Sequence, residues 1–210
     1  MTGKKRLNVA VLGSTRGTDM QGLINAIQKG ELNAQIAIVI SDKKDAYILE
    51  RAKNYGIPIL FINPKDFKRR EDFDKKIIEK LDEERIDLVL LIGYMRILSP
   101  HFIRQYKNKI MNVHPSLLPA FAGGMDLDVH RLVIDQGVKI TGCTLHFVDE
   151  GTDTGPIILQ ESVRVKEDDT PESLKERIQE AEQKIIVEAV RLFQNRQLKV
   201  EDGRVKVLPR

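Results

Sequence analysis

The sequence is poor in the residues that mark several specialised protein classes. It has one cysteine, Cys143, and no tryptophan among its 210 residues. A single cysteine cannot form an internal disulfide, which excludes a disulfide scaffold and predicts a reducing, cytoplasmic location. The four histidines lie far apart, without the spacing of metal ligands. We therefore expect no metal site.

Long apolar runs and an excess of one charge are also missing. The basic start is followed by an apolar run of only four residues, Val9 to Leu12, too short for a signal peptide or a membrane span. The 34 basic and 31 acidic residues are well mixed, whereas a nucleic-acid binder usually carries a denser basic stripe. The sequence therefore predicts one globular domain over residues 1–210, with neither nucleic acid nor a membrane as its partner.

The order of apolar and amphipathic segments predicts an α/β fold. In the first half, about residues 1–100, apolar runs alternate with helix-like segments, which predicts a doubly wound, mostly parallel sheet with a Rossmann-like N-terminal half. The predicted strands there are 6–13, 35–40, 57–62 and 86–93, and the predicted helices are 20–27, 46–55 and 67–85. In the second half, about residues 101–210, the predicted elements are strands at 109–114, 141–148 and 156–165, helices at 128–136 and 170–195, and a hairpin turning at Asp202-Gly203.

A loop over residues 13–19 connects the first predicted strand to the first predicted helix. Phosphates bind at such positions because free backbone N–H groups and the helix dipole both face the anion. The loop has neither the G-x-G-x-x-G spacing nor the ending of a Walker A motif. A tight glycine turn with Thr18 or Asp19 as the helix N-cap explains the same residues, so both interpretations stay open.

Asn112 and His114 lie two residues apart on a predicted strand and therefore share a face. An amide and an imidazole can polarise a carbonyl when a third group orients the histidine. The nearest acidic candidates lie in an irregular loop, residues 149–156, but spacing alone does not bring the two segments together. His146 alternates along a strand and is expected to be a hydrogen-bonded structural histidine, while His101 is expected at the surface.

Four longer segments resemble the folate-dependent formyltransferases. They are Asn112-Val-His-Pro-Ser-Leu-Leu-Pro119, His146-Phe-Val-Asp-Glu-Gly-Thr-Asp-Thr-Gly-Pro-Ile-Ile158, Gly93-Tyr-Met-Arg-Ile-Leu-Ser99 and the loop ending Arg16-Gly17-Thr18-Asp19. The resemblance extends over roughly residues 6 to 195. Within the family, the length and the N-terminal loop favour the branch that formylates glycinamide ribonucleotide in purine biosynthesis.

The resemblance implies a transfer of the formyl group from 10-formyltetrahydrofolate, a co-substrate, to the amine of 5'-phosphoribosylglycinamide. It implies that the amine attacks directly, without a metal and without a covalent enzyme intermediate. The implied catalytic residues are Asn112, His114 and Asp153. Asn112 and protonated His114 would stabilise the developing oxyanion, and Asp153 would orient His114 and help to relay protons through water.

The resemblance also implies binding residues and one backbone feature. The ribonucleotide phosphate would lie on Gly17, Thr18 and Asp19, and Glu182 would contact the same substrate. The Leu118–Pro119 bond would be cis. The folate would contact Met95, Arg96, Ile97, Leu98, Asn112 and Asp149, with Arg70 near its anionic end. Two segments differ from the usual family pattern: Thr18-Asp19, where Ser-Asn is common, and residues 122–130, so substrate details there stay open.

Several alternatives remain at this stage. A methionyl-tRNA formyltransferase carries a further C-terminal RNA-binding domain, and a formyltetrahydrofolate hydrolase carries a further N-terminal regulatory domain. The sequence leaves no room for either, because the catalytic fold is expected to begin by residue 7 and the chain ends at Arg210. A noncatalytic nucleotide-binding module or a Rossmann oxidoreductase would leave the motifs of the second half unexplained. The oligomeric state is open, with a homodimer as one alternative.

Overall fold

The structure, a computed structural model, describes residues 5–124 and 126–209. Residues 1–4 of the basic start, Met125 of the 122–130 segment and the final residue lie outside the described residues. The chain divides into two compact units, one that ends at Met111 and one that begins at Asn112. The single domain expected over residues 1–210 stays a prediction.

The first unit alternates strands with helices. Its strand order is β3-β2-β1-β4, with parallel pairing of β1 to both β2 and β4 and of β2 to β3. This is the 3-2-1-4 order of a Rossmann-like half. The elements are β1 (Leu7–Leu12), α1 (Met20–Gln28), β2 (Ala34–Ser41), α2 (Tyr47–Asn54), β3 (Ile59–Phe61), α3 (Arg70–Glu83), β4 (Leu88–Leu91) and α4 (Pro100–Gln105).

The burial of the strands in the first unit is typical of a parallel sheet. Every residue of β4 is buried, as are nearly all of β1, so both faces of each strand are covered. Strands covered on both faces by helices need apolar side chains throughout, as the sequence has here. The predicted α/β fold with a mostly parallel sheet is therefore confirmed.

One helix begins later than its sequence pattern predicts. The prediction starts it at Phe67, whereas α3 begins at Arg70. A 3-10 turn precedes α3, and the side chain of Asn63 caps this turn by accepting the N–H of Lys65. Phe67 then follows in an extended conformation, and its ring packs edge-on against Phe73 with centroids 5.6 Å apart. The apolar stripe thus includes a residue that contacts the helix without belonging to it.

The second unit contains the remaining strands in the order β5-β6-β7, with β6 and β7 antiparallel, and a separate antiparallel hairpin of β8 and β9. The long helix begins as predicted, because Thr170 caps it by accepting the N–H of Ser173 and a proline follows the cap. The elements are β5 (Ile110–His114), α5 (Asp126–Asp135), β6 (Ile140–Phe147), β7 (Ile157–Arg164), α6 (Pro171–Gln194), β8 (Leu198–Glu201) and β9 (Arg204–Val207).

The predicted hairpin turn is also present. Asp202 and Gly203 both have positive φ, 49° and 71°, which is the geometry that a two-residue turn between antiparallel strands requires. Among the described residues, no helix combines the length and the apolar character needed to cross a membrane.

Candidate active site

The three residues predicted to be catalytic meet in the second unit. Asn112 and His114 lie in the last three residues of β5, and their side chains share one face of the strand. Asp153 Oδ2 lies 3.2 Å from His114 Nδ1, and the Asn112 amide donates to Asp153 Oδ1 over 3.5 Å. The fold therefore brings an amide, an imidazole and a carboxylate together across 41 positions of sequence.

Both ring nitrogens of His114 face oxygen acceptors. Nδ1 faces the Asp153 carboxylate, and Nε2 lies 3.1 Å from the carbonyl oxygen of Phe121. Only an imidazole that carries both protons can donate to both acceptors. The His114 side chain is 4% exposed, so water cannot easily replace either partner. The geometry therefore favours the protonated ring that the family resemblance implies.

Asp153 is held as an anion. Burial by itself raises the pKa of its carboxyl, but the side chains of His114 and His146 and the backbone N–H of Gly123 outweigh this effect and hold the pKa well below its usual range. The Gly123 N–H donates to Oδ2 over 2.9 Å. Asp153 has a φ of 56°, so its backbone adopts the left-handed conformation that an Asp tolerates better than most residues. A fixed negative charge thus lies beside the imidazole.

His146 belongs to the same cluster, which the sequence did not predict. It is 2% exposed and hydrogen bonded, as expected of a structural histidine. Its Nδ1 lies 2.9 Å from the Phe147 carbonyl oxygen, which makes Nδ1 the protonated nitrogen. Its Nε2 lies 3.2 Å from the Asn112 amide nitrogen and 3.6 Å from Asp153 Oδ1. The sequence signal that points to His146 as a member of the cluster is its position at the carboxyl end of β6. A single sequence, however, does not give the strand order that makes β6 a neighbour of β5.

Polar side chains from the neighbouring strands hold the loop that follows His114. The Thr144 hydroxyl accepts the Leu118 N–H over 2.9 Å and donates to the Ser116 carbonyl over 2.7 Å. Gln160 donates to the Leu118 carbonyl over 3.1 Å. The Leu118–Pro119 bond is cis, as the resemblance implied. The sequence motif predicts this loop but neither Thr144 nor Gln160, because both act from strands that are distant in sequence.

Two further predicted residues of the second unit have clear structural contacts. Asp149 Oδ1 accepts from the Gly151 N–H over 3.1 Å and from the Thr154 hydroxyl over 2.7 Å, so it stabilises the turn that precedes Asp153. Glu182 lies on the buried face of α6 and is 5% exposed. The binding roles expected for Asp149 and Glu182 stay predictions.

The predicted phosphate loop, residues 13–19, lies in the first unit between β1 and α1. The backbone N–H groups of residues 15–18 form no hydrogen bond with any described residue, which leaves them available to an anion. Gly17 has a φ of 64°, and a Cβ at this position would lie 2.3 Å from the Ile48 side chain. The glycine is therefore required by packing as well as by any close approach to a ligand. Asp19 is at the N-cap position, 8% exposed, and its side chain makes no capping hydrogen bond.

Ser14 links this loop to the segment predicted to bind folate. Its N–H donates to the Gly93 carbonyl over 3.0 Å, and its hydroxyl accepts the Met95 N–H over 3.0 Å. The same hydroxyl donates to Asp42 Oδ1 over 2.5 Å, which fixes its orientation. One buried serine thus holds the loop 13–19 and residue Met95 at a constant spacing.

Residues 95–98, the segment predicted to bind folate and named the folate-binding segment below, present two apolar side chains to solvent. Met95 is 37% and Ile97 61% exposed, whereas Leu98 is buried and anchors the segment. The Arg96 guanidinium lies 4.7 Å from the centre of the Phe73 ring, and Arg70 is exposed at the start of α3. Exposed apolar groups beside two cations suit a ligand with an aromatic body and an anionic end, which is the chemistry of a folate.

Residues 5–124 and 126–209 contain no group of three or more His, Cys, Asp or Glu side chains arranged to hold a metal ion. His101, expected at the surface, is exposed at the start of α4.

Comparison with known proteins gives consistent matches. A family model described as formyl transferase matches residues 7–190. The chain is 46% identical over 202 residues, 96% of its length, to the trifunctional purine biosynthetic protein adenosine-3 of Bos taurus, and spans 20% of that protein. It is 38% identical to the phosphoribosylglycinamide formyltransferase of Bacillus subtilis (strain 168), with 83% of this chain and 88% of that one covered. The crystal structure of glycinamide ribonucleotide transformylase 1 from Symbiobacterium toebii matches with a TM-score of 0.93 and 41% identity over 100% of both chains. The chain thus spans about a fifth of the length of this trifunctional relative and most of the length of the Bacillus subtilis relative.

Proposed function

This chain belongs to the formyl transferase family, and on that basis we propose that it transfers the formyl group of 10-formyltetrahydrofolate to the amine of 5'-phosphoribosylglycinamide in purine biosynthesis. The observation that carries the proposal is the contact of one ionised carboxylate, Asp153, with both Asn112 and His114. The relative from Bacillus subtilis and the similar structure from Symbiobacterium toebii are both named after this activity.

The chemistry needs stabilisation of negative charge on the formyl oxygen. 10-Formyltetrahydrofolate supplies the formyl carbon, which the substrate amine attacks, and the bond from that carbon to N10 of the folate breaks. His114 carries a proton on Nε2 that faces the Phe121 carbonyl in this structure, and this proton is the one we assign to the oxyanion. Asn112 directs one N–H at Asp153 over 3.5 Å, a long contact that a substrate oxygen can replace.

Asp153 has two roles in this proposal. Its negative charge stabilises the protonated ring of His114, and its position fixes the ring so that Nε2 points away from the carboxylate. Because its own pKa is far below neutrality, it stays ionised throughout the physiological range. A water molecule hydrogen bonded to this carboxylate relays the proton that the attacking amine loses to N10 of the departing tetrahydrofolate.

Substrate binding is proposed for each unit separately. In the first unit, the loop residues Gly17, Thr18 and Asp19 bind the ribonucleotide phosphate through backbone N–H groups, and residues 95–98 with Arg70 bind the folate. In the second unit, Asn112 and Asp149 contact the folate, and Glu182 contacts the ribonucleotide. A cytoplasmic location, small-molecule partners without nucleic acid, and a homodimer as one possible assembly complete the proposal.

A two-substrate assay tests the proposal. Purified protein mixed with 10-formyltetrahydrofolate and the ribonucleotide should give a folate absorbance change that depends on both compounds. His114→Ala should abolish most of it, and the matched control His101→Ala, at an exposed histidine of α4, should leave it unchanged. Turnover without the ribonucleotide would indicate a hydrolase instead, and no turnover under either condition would contradict the proposed function.

A further inference from the structure

Asp74 is a buried carboxylate of α3 that the proposed function leaves unused. It is 1% exposed, and its Oδ2 accepts the backbone N–H of Ser99 over 2.5 Å. The Ser99 side chain acts to lower the pKa of the same carboxyl, and its hydroxyl accepts the N–H of Phe102, which caps α4. Ser99 directly follows the folate-binding segment and is fully buried. Asp74 therefore fixes the point at which this segment ends.

The two arginines expected to face the folate are close enough for their charges to act on the same carboxylate. Arg70 is four residues before Asp74 on α3 and so lies on the same face of the helix. Arg96 lies over the ring of Phe73, the residue next to Asp74. Burial raises the pKa of the Asp74 carboxyl, while the Ser99 hydrogen bonds and the charges of Arg70 and Arg96 act in the opposite direction. One buried group thus contacts the segment's end and attracts both cations.

We propose that Asp74 is a positioning residue for 10-formyltetrahydrofolate: it fixes the Ser99 end of the folate-binding segment and the placement of Arg70 and Arg96. The proposal rests on the proposed function, because it takes that segment as the folate site. The backbone that carries the exposed side chains of Met95 and Ile97 is thereby held at both ends before the ligand arrives. Such preorganisation raises affinity by reducing the entropy lost on binding.

The contacts predict that Asp74 acts on one substrate only. The other end of the segment is held by Ser14, whose hydroxyl accepts the Met95 N–H. Ser14 also belongs to the loop 13–19, whereas the hydrogen bonds of Asp74 go to Ser99. A change at Asp74 should therefore weaken folate binding and leave ribonucleotide binding intact.

The substitution Asp74→Asn tests this inference. Asparagine keeps the size of the side chain and an oxygen for the Ser99 N–H, but it removes the charge that holds the hydroxyl and the two arginines. We expect the KM for 10-formyltetrahydrofolate to rise about tenfold, the scale of one lost charge-assisted hydrogen bond. The KM for the ribonucleotide and kcat at saturation should stay within about twofold. Direct titration with tetrahydrofolate should show the same loss of affinity.

Asp82→Asn is the matched control. Asp82 is on the same helix and accepts from the Tyr106 hydroxyl over 2.8 Å and from Gln105 over 3.1 Å, so it contacts the far end of α4 instead of the folate-binding segment. Neither KM should change in this variant. If Asp74→Asn does not fold, Ser99→Ala removes the hydroxyl partner and should produce the same selective rise in the folate KM.

Two results would overturn the inference while leaving the proposed function intact. One is a folded Asp74→Asn protein with an unchanged folate KM, and the other is an equal loss of affinity for both substrates, which indicates a general structural role. Absence of turnover in the unsubstituted protein, in contrast, would contradict the proposed function itself, and the inference would fall with it.

Discussion

Replacement of Asp153 by asparagine is the sharpest test of the proposed catalytic group. The side chain keeps its shape, so an asparagine oxygen can still accept the N–H of Gly123, now 2.9 Å from Oδ2. What disappears is the negative charge 3.2 Å from His114 Nδ1. The protonated imidazole loses its anionic partner, and the amide is free to turn its NH₂ group toward the ring. We therefore expect a folded protein with a much slower chemical step.

The size of the effect follows from the geometry. Two unit charges 3.2 Å apart attract by about 5 kcal/mol at an effective dielectric constant of about 20. Asp153 is 12% exposed, so solvent screens only part of this attraction. If about 4 kcal/mol is lost from the transition state, kcat falls about a thousandfold. His114→Ala removes an oxyanion donor and should lower kcat about a hundredfold to a thousandfold.

The assay measures kcat for Asp153→Asn, for His114→Ala and for the double variant, together with direct titration of the ribonucleotide. Because the two residues act as one unit, the double variant should be little slower than the slower single variant. Ribonucleotide affinity should change little in all three, since its phosphate is assigned to the loop 13–19. Near-normal turnover in His114→Ala would refute the catalytic assignment. Fully additive losses would show that the two residues act separately.

Three further predictions concern stability, the additional histidine and the serine link. The folded pKa of Asp153 is depressed, so its ionisation stabilises the protein above the unfolded pKa of about 4 and this contribution is lost as the pH falls further. Thermal unfolding should therefore show that the free energy of unfolding of Asp153→Asn is roughly 2 kcal/mol lower than that of the unsubstituted protein at pH 5 to 8, and that this difference shrinks below pH 4. A constant difference down to pH 2 would contradict this prediction. His146→Ala removes the ring nitrogen that contacts the Asn112 amide. It should lower kcat about tenfold, a smaller loss than that of Asp153→Asn, with little change in either KM. An unchanged kcat would show that Asn112 needs no such support. Ser14→Ala breaks the link between the loop 13–19 and Met95, so titration should show weaker binding of both substrates. A loss of affinity confined to the folate would mean that the serine holds only the folate-binding segment.

Local pattern predicted most of the elements in this chain. Apolar runs bounded by glycines mark β1 and β4, and the Thr170-Pro171 start marks α6, because each depends on backbone geometry and burial of nearby residues. Helix bounds were less accurate. Phe67 continues the apolar stripe of α3 although it lies in an extended segment. The stripe therefore predicts which residues pack together, but it does not predict where the helical hydrogen bonds begin.

The residues proposed to be catalytic were predicted by resemblance, and their spacing alone did not bring them together. Asn112 and His114 share a face through strand periodicity, which any β-strand would give them. Their contact with Asp153 depends on the path of the chain through β6 and back into the acidic loop. No local propensity encodes that path, because it is selected by burial of the strands against one another.

The sequence by itself thus determined the α/β class, the position of the strands, and the segments in which the functional residues lie. Only the tertiary structure decided that His146 supports Asn112, that Thr144 and Gln160 hold the loop after His114, and that Asp74 anchors Ser99. These partners lie between 25 and 42 residues apart where they contact one another. Their contacts are hydrogen bonds between buried polar groups, which form only when packing of the apolar core removes water and leaves each group no other partner.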